Sequence, residues 1–158
     1  MIKEPARSRK TRPCTPPDPS LVEAVARVRH DLGKYVAMEL RWLPPDPDPE
    51  AVRAALRADV GATRRQGDRL ESAPALWDRL RPSLAGLADD PDVAAVDAAM
   101  EGLRALLPDL DHAPADRLAK GAAAAMEVAH ALKRLDQRVR EAATSARRLK
   151  EARWPASS

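Results

Sequence analysis

Apolar residues recur at intervals of three and four along most of this chain, in segments separated by proline. A first stripe of such residues lies between Ser20 and the sequence PPDPDP at 44–49. This spacing predicts a helix over about 20–43, which PPDPDP must end because proline lacks a backbone N–H. Ser20 and Glu23 have the spacing of a capping box at its start. The stripe consists of Leu21, Val25, Val28, Leu32, Val36 and Leu43.

Four further helices are predicted after PPDPDP. They cover about 48–70, 73–88, 90–110 and 114–153. The second and the fourth begin with Asp-Pro pairs, in which Asp caps the helix and Pro fits its first turn. Pro82 lies inside the third helix and is expected to kink or split it.

The last helix carries a seven-residue apolar repeat. One row is Leu118, Ala125, Leu132, Val139 and Ala146, and the other is Gly121, Val128, Leu135, Ala142 and Leu149. A repeat this long predicts a bundle or coiled-coil seam, and short loops predict antiparallel neighbours. The expected fold is all-α: an antiparallel four-helix-type bundle whose third and fourth helices form one broken arm.

The composition agrees with this fold class. Alanine supplies 32 of 158 residues, isoleucine occurs once, and phenylalanine is absent, so residues that favour sheets are scarce. Trp42 and Trp77 lie at helix edges and are predicted to be core anchors. Residues 1–19 are basic, proline-rich and without periodicity, which predicts a disordered arm. Residues 20–153 are then a single bundle domain and 154–158 a short tail.

Several functional classes are disfavoured. Cys14 is the single cysteine, so neither an internal disulfide nor a thiolate zinc cluster can form, which suits a reducing cytosol. The N-terminus has no apolar signal core, and the longest apolar run, GAAAAM at 121–126, is too short for a bilayer. No nucleophile–base set, phosphate loop or metal cluster is evident. We therefore expect a cytoplasmic protein that is not an enzyme, binds no cofactor or metal and does not associate with a membrane.

Charge is segregated along the chain. Residues 84–116 hold eight acidic groups and one base, whereas residues 133–153 hold eight bases and three acids. Part of this asymmetry is expected to be complementarity between helices. Nucleic acid is disfavoured as a partner, because the net charge is only +3 and no aromatic stacking platform is present.

His30 is the first candidate for chemistry. A helical wheel places it opposite the apolar stripe, with Ala26, Gly33 and Ala37 as small neighbours. Asp31 could accept the ring proton as an assisting base, and Lys34 could neutralise a phosphoryl oxygen. Small neighbours would let a partner's backbone approach the ring.

The sequence RHDL at 29–32 resembles the phosphoacceptor segment of the dimerisation domain of two-component sensor kinases. In that family an exposed histidine is followed by an acidic residue and a leucine, on the first helix of a hairpin. The resemblance implies that His30 accepts a phosphoryl group. This chain lacks the kinases' ATP-binding motifs, so it would receive the group and not generate it.

His130 is the alternative phosphoacceptor. The sequence AHALK at 129–133 resembles the core motif of histidine-containing phosphotransfer domains, with Lys133 in the position of the motif's lysine. Arg134 stands where that family has glycine. The HDLGK sequence at 30–34 also resembles the HD-domain metal motif, but no histidine precedes His30 to complete the ligand set.

Two functions remain open. The first is a small non-catalytic signalling bundle, a phosphorelay intermediate with a receiver-like or kinase-like protein partner. The alternative is a structural or adaptor bundle, self-associating as a homodimer or binding another protein, in which both histidines are merely solvated.

Overall fold

The computed structural model describes residues 18–61, 64–66 and 69–153. Five α-helices occur in that part of the chain, and the all-α class is confirmed. They are α1 (Pro19–Val28), α2 (Pro49–Val60), α3 (Ala73–Leu80), α4 (Pro91–Leu106) and α5 (Ala115–Arg153). Most of the predicted arm and all of the predicted tail lie outside the described residues.

Asp-Pro pairs begin three of these helices. Asp18 caps α1 by accepting a hydrogen bond from the Ser20 N–H at 3.0 Å, so the predicted capping box at Ser20 is wrong. Asp90 likewise accepts from the N–H of Asp92 at 2.8 Å. Asp48 occupies the same position before α2. Proline suits the first helical position because its ring already holds the helical φ and the N–H it lacks would have no helical partner.

The prediction that the first helix continues to about residue 43 is wrong. After Val28 the chain makes a π-helical turn over Arg29–Gly33, in which the Lys34 N–H donates to the Arg29 carbonyl at 3.0 Å. Turns follow as far as a 3-10 turn at Leu40–Trp42. The N–H groups of Glu39 and Leu40 donate to the buried Asp59 carboxylate at 2.9–3.0 Å. These bonds to α2 replace helical bonds and hold the segment in place.

The second helix is ten residues shorter than predicted, because it ends at Val60 and not near residue 70. A Cβ at Gly61 would lie 2.6 Å from the Arg57 carbonyl oxygen, so the chain departs from the helix where a side chain is absent. Strands β1 (Arg64–Gln66) and β2 (Arg69–Glu71) then pair antiparallel. A fully sheet-free bundle was therefore the wrong expectation for this short stretch.

The third and fourth helices end in 3-10 turns that contain proline. The expected break at Pro82 is confirmed: Arg81–Leu87 is 3-10 helix, interrupted at Leu84 (φ −105°, ψ 20°). Leu107–His112, which contains Pro108, has the same form after α4. Proline removes a helical hydrogen bond, so a tighter turn replaces the α-helix.

The long helix α5 packs against both α1 and α4. Arg29 pairs with Asp136, and the backbone at Gly33 approaches Leu132, so residue numbers rise along one segment as they fall along the other. The pairs Asp92–Arg134 and Asp90–Arg138 show the same opposite progression on α4. Both neighbours therefore run antiparallel to α5 where they meet it.

The seven-residue repeat of α5 is buried only in its first part. Val139 is the last buried member, and Leu149 is 63% exposed. The seam therefore faces the core over about two thirds of the helix and continues beyond it. The buried members are Leu118, Gly121, Ala125, Val128, Leu132, Leu135 and Val139.

The two tryptophans in the described residues differ. Trp77 is 2% exposed and donates from Nε1 to Asp97 at 2.8 Å, so its predicted role as a core anchor is confirmed. Trp42 is 80% exposed, and the same prediction for it is wrong. It lies in the 3-10 turn after the π-helical segment, where the changed register turns it away from the core.

Part of the charge segregation is internal complementarity, as expected. Arg138 bonds Asp90 and Asp92, Arg134 bonds Asp92, and Arg117 bonds Asp109. The acidic stretch therefore neutralises Arg134 and Arg138 among the bases of residues 133–153. Within the described residues, none of the helices combines the length and apolarity needed to cross a bilayer.

Leu132→Ala is expected to lower the free energy of unfolding by about 2–4 kcal/mol, because Leu132 is fully buried and contacts the π-helical turn at Gly33. Leu149→Ala is the matched control on the same helix, and its cost should stay under about 0.5 kcal/mol. Urea unfolding measures both. Equal losses would contradict the buried register of α5.

Asp97→Asn is expected to destabilise the fold more at neutral pH than in acid. Burial raises the pKa of Asp97, but hydrogen bonds from Arg81 and Trp77 and the Arg81 charge outweigh it, so the pKa lies below its usual value. A lowered pKa stabilises the folded chain above the unfolded value, and this contribution is lost progressively as pH falls from about 4 through the lowered pKa of the folded state. The difference in urea midpoint between variant and parent should therefore be smaller at pH 3 than at pH 7.

Candidate functional site

His30 projects from the π-helical turn into solvent. Its side chain is 63% exposed, and Nδ1 lies 3.1 Å from Oδ1 of Asp31. A carboxylate can only accept a hydrogen bond, so Nδ1 carries the proton in this contact. The lone pair is then on Nε2, on the opposite side of the ring. Asp31 therefore lies within hydrogen-bonding distance of the ring.

A shallow groove accompanies His30, which we call the His30 groove. It is bordered by Ala26, Arg27, Arg29, His30, Lys34, Asp136 and Arg140. Ala26 and Lys34 are therefore near His30, as the helical wheel predicted. Arg29 and Arg140 lie 2.6 and 3.0 Å from the two oxygens of Asp136. A helical wheel drawn for one helix cannot show this arrangement, because Asp136 and Arg140 belong to α5.

Gly33 and Ala37 do not surround His30, contrary to the sequence prediction. Ala37 is fully buried, and a Cβ at Gly33 would lie 3.4 Å from Leu132 on α5. The wheel assumed 100° per residue, whereas a π-helical turn advances less per residue and rotates the residues after it. Gly33 thus serves the close packing of the π-helical turn on α5, not the surface beside the imidazole.

His130 borders a second groove, on the other side of Arg29 and Lys34. We call it the cationic groove; its volume is about 350 Å³. It lies between α5 and the segment that follows α1. Its polar lining is Arg29, Lys34, Arg41, His130 and Lys133, and its apolar lining is Gly33, Ala37, Met126 and Ala129.

The structure thus brings both candidate histidines to one face of the molecule. Arg29 and Lys34 border both grooves and separate His30 from His130. Lys133, predicted to accompany His130, does so. Arg134 does not line the groove and instead bonds Asp92 and Glu127 at 3.1 and 3.0 Å. Sequence reasoning missed that Arg29 borders both grooves and that Arg41 lines the groove of His130.

The cationic groove has no acidic lining among the described residues. Lys34, Arg41 and Lys133 are exposed, and none has a carboxylate partner within the described part of the chain. The fourth Arg or Lys side chain that lines the groove, Arg29, is paired with the buried Asp136. This side of the molecule therefore presents positive charge that no described carboxylate neutralises.

Metal binding is not indicated in the described residues, where no three His, Cys, Asp or Glu side chains cluster. Comparisons with protein-family models, curated proteins and solved structures found no match to this chain. The geometry of the two grooves is consequently the basis for assigning a function.

Gly33→Leu is expected to destabilise the fold by about 1–3 kcal/mol, because the larger side chain would enter the Leu132 contact. Gly33→Ala should be tolerated, since a Cβ there makes only ordinary contacts of 3.4–3.5 Å. Thermal unfolding distinguishes the two. A fully stable leucine variant would mean that Gly33 faces solvent.

Proposed function

We propose that this chain is a small helical signalling module that accepts a phosphoryl group on His30 and is not a free-standing enzyme. The observation that carries the proposal is the 3.1 Å contact between His30 Nδ1 and Asp31, beside Arg29 and Lys34. The carboxylate orients the ring, and Arg29 and Lys34 supply positive charge in the same groove.

The reaction we propose takes an acyl phosphate as donor. The Nε2 lone pair of His30 attacks phosphorus, forming an N–P bond as the P–O bond to the acyl group breaks. The bonding electron pair leaves on the donor's carboxylate oxygen. The Nδ1 proton stays on the ring, which becomes cationic and is stabilised by Asp31, while Lys34 and Arg29 offset the phosphoryl charge.

The partner we propose is a receiver-like or kinase-like protein that carries such an acyl phosphate, met in the cytoplasm. His30 and Lys34 are exposed, so a partner can reach them without movement of the core. The nearby charge is cationic, which favours an approaching acidic surface.

The arrangement of helices that we propose is an antiparallel four-helix-type bundle, with α3 and α4 as one broken arm. Support comes from the opposite progression of contacts along α1–α5 and along α4–α5. The 3-10 segment Arg81–Leu87 supplies the break in the arm.

The test is labelling of the full chain with radioactive acetyl phosphate. Acid-labile, base-stable label is expected on the parent protein and should be abolished in His30→Gln. Asp31→Asn should slow labelling without removing it. Because His30 faces water, His30→Gln should leave the melting temperature nearly unchanged.

His130→Gln is the matched control and should keep the label. Label that survives His30→Gln but disappears in His130→Gln would assign the acceptor to the cationic groove. Absence of acid-labile label on the parent protein would overturn phosphoryl transfer at either site.

A second candidate is an adaptor bundle that self-associates without histidine chemistry. It is favoured by the end of α5, where the seven-residue repeat continues past the core and Leu149 remains 63% exposed. A second copy could cover this row. Concentration-dependent mass in sedimentation equilibrium, lost in Leu149→Ala, would support this candidate.

A further inference from the structure

We propose that the cationic groove is a binding site for a polyphosphate anion of the diphosphate class. The site is distinct from the His30 groove and does not depend on phosphoryl transfer. Arg41 and Lys133 supply charge, Lys34 adds charge from the edge shared with the His30 groove, and His130 offers a further hydrogen-bonding group.

The cationic groove contrasts with the remaining described surface. Most arginines there are bonded to carboxylates, so the fold neutralises its own charge. Such pairs include Arg57–Asp111, Arg79–Glu71, Arg104–Asp78, Arg117–Asp109 and Arg138–Asp90. In the cationic groove three cations converge without a described carboxylate partner, and bringing like charges together is unfavourable unless an anion joins them.

The shape of the groove suits an elongated ligand. On the α5 side the groove extends from Met126 to Lys133, which is about 10 Å along a helix. That length and the volume of about 350 Å³ exceed what one phosphate fills. Gly33, Ala37 and Ala129 contribute little side-chain bulk, so an elongated anion can lie between the two segments.

The amount of charge in the groove also favours two phosphoryl groups over one. Arg29 is already bonded to the buried Asp136, which leaves Lys34, Arg41 and Lys133 uncompensated. A single phosphate monoester carries about 1.5 to 2 negative charges near neutral pH. Two linked phosphoryl groups match three cations better, and the planar guanidinium of Arg41 can bond two phosphate oxygens at once.

The position of Arg41 is set by contacts outside the groove. The N–H groups of Glu39 and Leu40 are held by Asp59, which is 3% exposed. This bonding places the 3-10 turn that contains Arg41 next to α5. The groove is therefore built by two buried carboxylates, Asp59 at one end and Asp136 at the other.

The experiment is calorimetric titration of the full chain with inorganic pyrophosphate at low ionic strength. Lys34→Gln, Arg41→Gln and Lys133→Gln should each raise the dissociation constant about three- to tenfold, as expected for charge-assisted bonds at a partly exposed site. Orthophosphate should bind more weakly than pyrophosphate. Amide chemical-shift changes on titration should centre on Gly33 and Ala129.

Lys120→Gln and Lys150→Gln are the matched controls, because both lysines are exposed, have no described carboxylate partner and lie outside both grooves. Their dissociation constants should equal that of the parent. An equal loss in the controls would show non-specific charge attraction and would overturn the site. So would binding of a single-stranded oligonucleotide that pyrophosphate does not displace, or the absence of pyrophosphate binding.

The His30→Gln variant separates the polyphosphate site from phosphoryl transfer at His30. It should bind pyrophosphate as the parent does, since His30 does not line the cationic groove. Absence of phosphoryl labelling on the parent protein, with intact pyrophosphate binding, refutes only the function at His30. Intact labelling without pyrophosphate binding refutes only the polyphosphate site.

Discussion

The buried carboxylate of Asp136 is the constraint on which the arrangement of α1 and α5 depends. Its side chain is 1% exposed, and its oxygens bond Arg29 at 2.6 Å and Arg140 at 3.0 Å. A buried charge is costly without a partner, so α1 must present Arg29 at this level of α5. The Gly33–Leu132 contact, one turn further along, then brings the two backbones close together. Sliding α1 along α5 would break both contacts at once.

This constraint also determines the functional face. Arg29 points inward to Asp136 and, with Lys34, lies between the two grooves. The π turn connects these residues, because Lys34 bonds the carbonyl of Arg29. His30 lies within the turn and consequently projects outward. Packing of α1 on α5 and presentation of the imidazole are therefore consequences of one local departure from the α-helix.

Sequence reasoning recovered the features that are local or periodic. Asp-Pro pairs locate the starts of α2 and α4, Pro82 locates a break, and the seven-residue repeat locates the buried side of α5. It failed at the π turn and at the hairpin after Gly61. The hairpin follows the end of α2, and hydrophobic periodicity alone does not indicate where that helix ends. The π turn depends on contacts with Leu132 and Asp136, about 100 residues away in the sequence.

The candidate site was recovered in part for the same reason. Exposure of His30 and His130 follows from helical spacing, and Asp31 is adjacent in sequence. That the two histidines border a common pair of cations could not be predicted, since it requires the antiparallel register of α1 and α5. The position of Arg41 was also beyond prediction from the sequence, because the bonds that place its turn come from Asp59 on α2.

Arginine and lysine have different roles on the described surface: arginines form the ion pairs of the fold, and lysines do not. Among the described ion pairs, apart from the His30–Asp31 contact, the cation is arginine, as in Arg138 with Asp90 and Asp92. A planar guanidinium can bond two oxygens in a fixed geometry, which suits a structural bridge. The described lysines form no such pairs, and two of them, Lys34 and Lys133, line the cationic groove. Their compact ammonium groups on flexible stems can adapt to an incoming anion, so charge committed to the fold is separated from charge left for a ligand.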